Sequence, residues 1–216
     1  LASVADICNV ALSAVGADAV VTSISPPDGS VEAGHCARFY PLARKLMIET
    51  GPCVFALKRA ELAEVDNASE VWSYAYVLPA DCIKPLRVLR ALDFPYTNAS
   101  IYEIDKVLTS FEPNEQGGAE YQIEGQVLYT HEPEAVLIYR RDVTDTTKFT
   151  PTTVLALGTL LGSFLAGPIV KGMDGVRLAQ ALRNQATELM AQAGVLDANS
   201  STERHEPMPS SIRARQ

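Results

Sequence analysis

The chain has 216 residues, 47% of them hydrophobic and 20% charged, with a formal net charge of −8. That composition fits one or two globular domains with a real core. The acidic balance argues against a free nucleic-acid binder, which needs a basic face to displace phosphate counterions, but not against a protein that lets DNA pass without gripping it.

Residues 3–15 read as a helix. Ser3 is the candidate N-cap, Asp6 completes a variant capping box, and Gly16 is the stop. Its apolar stripe is Val4, Ile7, Cys8, Ala11, Leu12 and Val15. Residues 1–21 carry Asp6 and Asp18 and no basic n-region, which speaks against a signal peptide. Residues 17–30 read as a loop, with turn chemistry at Ser25-Pro26-Pro27-Asp28-Gly29. A second helix is predicted over 31–50, with the stripe Cys36, Phe39, Tyr40, Ala43, Leu46 and Met47 and a polar flank of Arg38, Arg44 and Lys45. Thr50-Gly51-Pro52 stops it. A third helix is predicted over 52–65, with Ala56, Ala60 and Ala63 as a small-residue face. The short connections favour a packed antiparallel bundle.

Trp72, Tyr74 and Tyr76 alternate, as in an extended segment with one aromatic face, and Pro79 ends it. Residues 86–141 read as β-rich. A strand is expected from Leu86 to Leu92, a loop over 94–118 with a short strand near 101–108, and an alternating strand at Tyr121, Ile123, Val127 and Tyr129. His131-Glu132-Pro133-Glu134 reads as a hairpin turn into a strand from Val136 to Arg140. Together these make one small antiparallel sheet inserted between helices.

The run 149–170 is the longest uncharged segment, bracketed by Lys148 and Lys171. It nears the roughly 20 apolar residues that cross a bilayer. Pro151 and Pro168, however, bracket a shorter helix, and no aromatic belt flanks it. Leu157, Leu160, Leu161, Phe164 and Leu165 recur at the spacing of one helical face. The reading is a central helix walled by other helices, with Gly158, Gly162 and Gly167 letting neighbours come close. A long amphipathic helix follows over 174–193, with Val176 or Leu178, Ala181, Leu182, Leu189 and Met190 on one face and Gly194 closing it. Beyond residue 196 the chain turns polar and is predicted to be disordered alone.

The search for chemistry is nearly empty. No phosphate-loop, dinucleotide, zinc-protease or serine-hydrolase motif is present. Cys8, Cys36, Cys53 and Cys82 sit among apolar neighbours without metal spacing, and read as small core fillers. His35 beside Cys36 imitates a thiol–imidazole pair, but adjacent helix residues point about 100° apart. Asp81 reads as a turn aspartate accepting backbone amides, and Glu132 and Glu134 as a solvated hairpin tip. Lys58-Arg59 and Arg140-Arg141-Asp142 read as a solvated face or interface ion pairs.

The residues nonetheless form a recognisable order. Cys36-x-x-x-Tyr40-x-x-x-Arg44 is followed by Phe55-Ala56-x-Lys58-Arg59-Ala60-x-Leu62-Ala63. Next come Trp72-x-Tyr74-x-Tyr76-x-Leu78-Pro79-x-Asp81-Cys82 and Tyr121-x-Ile123-x-Gly125, running into Tyr139-x-Arg141. Phe149-x-Pro151 then leads to Leu165-Ala166-x-Pro168-Ile169. This order resembles the tail tubular protein A family, the head-to-tail adaptor of short-tailed bacteriophages. The likeness spans about residues 3–193, and the Trp72–Cys82 segment is its most specific part. One departure is Pro52-Cys53-Val54-Phe55, where the family often has Trp after the proline.

The resemblance implies a virion protein, assembled in the host cytoplasm, at the head–tail interface. It would form a ring of about twelve copies below the portal protein and above a tail nozzle like tail tubular protein B. The helical part would be the ring wall and the β part would face outwards or toward the nozzle. No enzyme activity, cofactor, metal or membrane is implied. Such a ring would sum to a formal charge of roughly −100, a field that repels passing genomic DNA. In the tail, Arg204, Ile212, Arg213 and Arg215 are the candidate partner-binding residues.

The expected architecture is α+β and mainly helical. Residues 1–85 with 149–194 would form a helical bundle, 86–148 an inserted β-rich subdomain, and 195–216 an extended C-terminal tail. The competing readings are a peripheral or single-span membrane protein using 149–170, and a small Cys- or Glu-dependent hydrolase.

Overall fold

Ser3 starts the first helix, α1 (Val4–Ala14), through a full capping box. Its Oγ accepts the Asp6 N–H at 3.1 Å, and the Asp6 carboxylate accepts the Ser3 N–H at 2.8 Å. The predicted stripe is buried at Ile7, Cys8, Ala11, Leu12 and Val15, and Gly16 takes the left-handed φ of +74° that ends the helix. The following loop is tied down by side chains. The Asn9 amide donates to the Val21 carbonyl at 3.0 Å and accepts its N–H at 2.8 Å, as a strand neighbour would. The computed structural model describes residues 2–18, 20–89 and 118–200.

Ser30 caps the second helix, α2 (Val31–Thr50), which stops at Gly51 as the sequence predicts. The predicted third helix does not form. A single 3-10 turn, Val54–Ala56, leads into β1 (Leu57–Glu61) and β2 (Ala63–Val65). The alanine spacing favours a helix only weakly, and pairing of residues 57–61 with 136–140 overrides it. The remaining strands are β3 (Tyr74–Val77), β4 (Cys82–Leu89), β5 (Tyr121–Glu124), β6 (Val127–Thr130) and β7 (Val136–Arg141).

These strands build two antiparallel sheets, where one was expected. Their orders are β1-β7-β4 and β2-β3-β6-β5. The chain is therefore α+β, with strands over 57–65 where a helix was expected, and with β1, β2 and β3 inside the 1–85 stretch assigned to the helical bundle. It changes sheets at Leu62, over 78–81 and over 131–135. At the first corner Leu62 donates its N–H to the Ala135 carbonyl at 3.0 Å. The break at His131–Glu134 is thus a crossover between sheets and no hairpin turn. The hairpin lies upstream, at Gly125-Gln126, where Gly125 adopts a φ of +61° and Glu124 pairs with Val127. That turn reverses the apparent alternation, so Leu128 and Thr130 are fully buried, not Val127 and Tyr129. Pro85 sits at an irregularity in β4, an edge strand, where its missing N–H is tolerated. The short strand expected near 101–108 lies outside the described residues.

Thr150 and Pro151 open the third helix, α3 (Pro151–Val170). It absorbs Pro168 in its last turn and so outruns the predicted stop. Lys171 and Gly172, both at left-handed φ, reverse the chain directly into α4 (Gly172–Ser200). Gly194 does not close α4. It is buried where the helix passes the Pro52 ring, and a Cβ there would overlap that ring. The segment taken for tail from residue 195 therefore begins as helix.

α3 is walled by α1, α2 and α4. Among the described residues it is the one helix long and apolar enough to cross a bilayer, and 61% of its most apolar window is buried inside the fold. Gly158 and Gly162 permit the close approach of α1: a Cβ on Gly158 would stand 2.6 Å from Val10 Cγ1, and one on Gly162 3.3 Å from the Ala11 carbonyl oxygen. Gly167 faces open space and has no such role. On α4 the buried face is Gly175, Leu182, Ala186 and Gly194, flanked by Leu178 and Met190, while Val176 and Ala181 are exposed. The helices share one core cluster, and the sheets hold a smaller one around Tyr76, Val88, Leu128, Leu137 and Tyr139.

Candidate functional site

Four charged side chains, Arg44, Lys84, Arg140 and Asp142, come together at the seam where the β1-β7-β4 sheet meets α2. Arg44 was expected on the polar flank of α2, but it is 8% exposed. Its guanidinium forks onto Asp142, Nε to Oδ1 and Nη2 to Oδ2, both at 2.9 Å. This planar bidentate geometry is the strongest ion-pair arrangement a carboxylate offers. Two residues earlier, Arg140 Nη1 donates to the carbonyls of Ile48 and Glu49 at 3.2 and 3.1 Å. Lys84 Nζ adds a bond to Glu49 at 3.2 Å. Two cations from the sheet thus meet the C-terminal carbonyls of α2, where the helix dipole is negative.

The second half of the seam comes from the Trp72–Cys82 segment. Asp81 does lie in the turn after Pro79, but its carboxylate is taken up chiefly by side chains. Its Oδ1 accepts the Tyr139 hydroxyl at 2.7 Å and its Oδ2 pairs with Lys58 Nζ at 3.0 Å. Lys58 and Tyr139 face each other across β1 and β7. Burial raises the Asp81 pKa, but the hydrogen bonds from Tyr139 and Lys58 outweigh it and leave the carboxyl below its ordinary value. The bond to Asp81 holds the Lys58 ammonium above its own. The Asp81 carbonyl also accepts the Asp142 N–H at 2.8 Å, joining the two halves. Upstream, Tyr76 donates its hydroxyl to the Glu132 carbonyl at 3.0 Å, and the Trp72 ring lies 4.8 Å from the His131 ring.

The residues weighed for catalysis fall apart in space. Cys36 is fully buried, and its thiol contacts Cys8. That contact, then burial, pushes the Cys8 thiol up. His35 on the same helix is only half-buried. Burial pushes the Cys82 thiol up to about 11, with Asp81 adding to it. Glu134 is exposed at a φ of +52°, and Glu132 contributes its backbone carbonyl to Tyr76. Among the described residues, no three of His, Cys, Asp or Glu are grouped so as to hold a metal. The geometry can lock a sheet onto a helix end, and apart from it the exposed Ser73 hydroxyl lies 3.0 Å from His131 Nδ1.

Arg204, Ile212, Arg213 and Arg215 lie outside the described residues. Sequence reasoning missed Arg44–Asp142 and the Arg140 clamp. A signal for the first existed: Cys36, Tyr40, Arg44 and Ile48 stand at successive i, i+4 positions, which places Arg44 on the buried row. The chain matches no protein-family model and no curated protein sequence.

Proposed function

We propose that this chain is a structural head-to-tail adaptor of a short-tailed bacteriophage. It would form a ring of about twelve copies between the portal protein and the tail nozzle. The observation that carries the reading is the use made of the Trp72–Cys82 segment, the most specific part of the resemblance. Its Tyr76 hydroxyl and Asp81 carboxylate are taken up in holding the strands and their crossovers together. The ion-locked seam makes helices and sheets one stiff body, as a collar under the pressure of packaged DNA requires. The helical layer, read as mainly a bundle, would be the ring wall. The acidic balance would keep exiting DNA from sticking.

Electron microscopy of portal-bearing heads incubated with the purified chain tests this. A ring bound below the portal is the expected result. No ring, with the chain partitioning into vesicles, would replace the reading with a membrane role for α3. Turnover of an ester or glycoside lost in Cys36→Ala or Glu132→Gln would replace it with hydrolysis.

A further inference from the structure

The α3–α4 hairpin ends in a projecting apolar tip. Lys171 and Gly172, both at left-handed φ, reverse the chain there, and residues 171–174 are all exposed. Met173 is 69% exposed, Val176 60% and Val170 37%. Apolar side chains grouped on a projecting turn and rimmed by charge mark a surface that another molecule covers. The rim is mostly basic. Lys171 and Arg177 flank Met173, and the one acid between residues 170 and 177, Asp174, lies 3.8 Å from Arg177.

The same hairpin carries a hollow on its α1 side. An open depression of about 700 Å³ is lined by Val10, Leu155 and Leu182 together with Asp6, Ser13 and Gln185, and by no basic side chain among the described residues. Leu155 is 46% exposed there. Asp6 is held below its ordinary pKa by the Ser3 N–H and hydroxyl, so it keeps its charge. Tip and hollow face different ways. Val176 and Gln185 stand nine residues apart on α4, two and a half turns, so their side chains leave the helix on opposite sides, about 14 Å apart along its axis.

We propose that the Met173–Val176 tip of one copy seats in the Val10–Leu155 depression of the next, with Lys171 and Arg177 turned toward Asp6. This pairing gives the adaptor ring its subunit contact and rests on the adaptor reading for closure. A projection and a hollow on opposite sides of one chain make a heterologous contact, which repeats and either closes or runs on as a filament. The axial offset means that neighbouring hairpins lie staggered and not level. A second copy is the occupant because the chain itself supplies both shapes with opposite charge: a basic-rimmed apolar knob, and an apolar hollow whose one charged side chain is acidic. Methionine suits the knob, since its flexible thioether adapts to an irregular hollow. The charges set register and orientation more than affinity.

The test is cross-linking between two populations of the full-length chain in a Cys82→Ser background, where the other three cysteines are buried. One population carries Val176→Cys and the other, with a different affinity tag, Ser13→Cys, so that Met173 and Leu155 stay in place. Equal amounts are treated with a short bis-maleimide, both free at high concentration and on portal-bearing heads. A mixed dimer is expected in at least one of these settings, with no dimer from either population alone. Met173→Asp in the Val176→Cys chain should cut the mixed dimer at least about tenfold. Gln185→Lys in the Ser13→Cys chain should also cut it, whereas Gln185→Glu should leave it equal or stronger. A dimer from Val176→Cys alone would mean tip-to-tip pairing and overturn the proposal, as would a cross-link from either site to the portal protein in place of a second copy. Rings without mixed dimers would overturn the assigned faces and leave the adaptor reading standing. Mixed dimers without portal-bound rings would do the reverse, and absence of both would remove both.

Discussion

Two seams hold this molecule together, and they are made of opposite materials. Where α1 crosses α3 the contact is apolar and set by volume: Gly158 and Gly162 remove two Cβ atoms, and Val10 and Ala11 fill the space. Where α2 meets the β1-β7-β4 sheet the contact is set by charge, through Arg44–Asp142, Arg140 and Lys84, and beside it Lys58–Asp81 ties β1 to the turn before β4. Both sheet and helix could bury more apolar surface without these ions. What charge adds is direction. An apolar seam tolerates sliding by a fraction of a turn, whereas a bidentate pair and two cations on the last helical carbonyls allow one orientation. The adaptor role proposed above would need that second property.

The sharpest way to break the charged seam is Arg44→Met. It leaves the Asp142 carboxylate, whose side chain is 23% exposed, without its partner. The expected loss is about 3–5 kcal/mol, read as a fall in urea midpoint with unchanged slope. Arg44→Met/Asp142→Leu should recover more than half, because most of the cost is the stranded charge. If the double variant is no better than the single, the ion pair contributes more stability than an apolar replacement.

The apolar seam is broken by adding volume. Gly158→Ala would put a methyl 2.6 Å from Val10 Cγ1 and 3.0 Å from its Cβ. Valine on a helix has one preferred rotamer and cannot turn away. A cost of about 1–3 kcal/mol is expected, exceeding the gain of about 1 kcal/mol from replacing glycine in a helix. Val10→Ala should rescue it. At Gly162 the nearest atom is 3.3 Å away, so alanine there should lie within about 1 kcal/mol of neutral. At Gly167 nothing stands within 4 Å. Alanine there should stabilise by up to about 1 kcal/mol, read as a melting temperature higher by roughly 2–4 °C.

The contrast also explains what could be read before the structure was known. The volume seam was legible: the α1 stripe, the Ser3 cap, the ends of α2 and the glycines facing α1 all follow from local spacing. The charged seam was not, because each of its pairs joins residues far apart in sequence, such as Arg44 with Asp142 and Lys58 with Asp81. Leu57 to Glu61 became a strand for the same reason. Its partner, β7, lies beyond residue 135, and no local window contains both. The hairpin was misplaced because Gly125 falls inside a polar–apolar alternation that runs from Tyr121 to Val127 and conceals the reversal. Gly194 misled in the other direction: glycine after a periodic run reads as a stop, and only the nearby Pro52 shows that it is a clearance.

The smallest effect, and the one that most cleanly separates the two materials, lies at Lys58–Asp81. Its side chains are 45% and 35% exposed, so Lys58→Met should shift the urea midpoint only slightly and the difference should vanish in 1 M salt. Its pH dependence has a definite sign. Asp81 titrates below its ordinary 3.8 in the fold, so its contribution is present above that pH and is lost as pH falls through the lower folded value. Lys58 titrates above its ordinary 10.5, so its contribution is present below that pH and is lost as pH rises through the higher folded value. The difference between wild type and Lys58→Met should therefore be flat between these ordinary values and shrink at both ends. Gly158→Ala, measured beside it, should show a cost that neither salt nor pH changes over the same range. If the Gly158 cost also moved with salt, the α1–α3 contact would have to include a charge, and the division of the molecule into a volume-set and a charge-set seam would fail there.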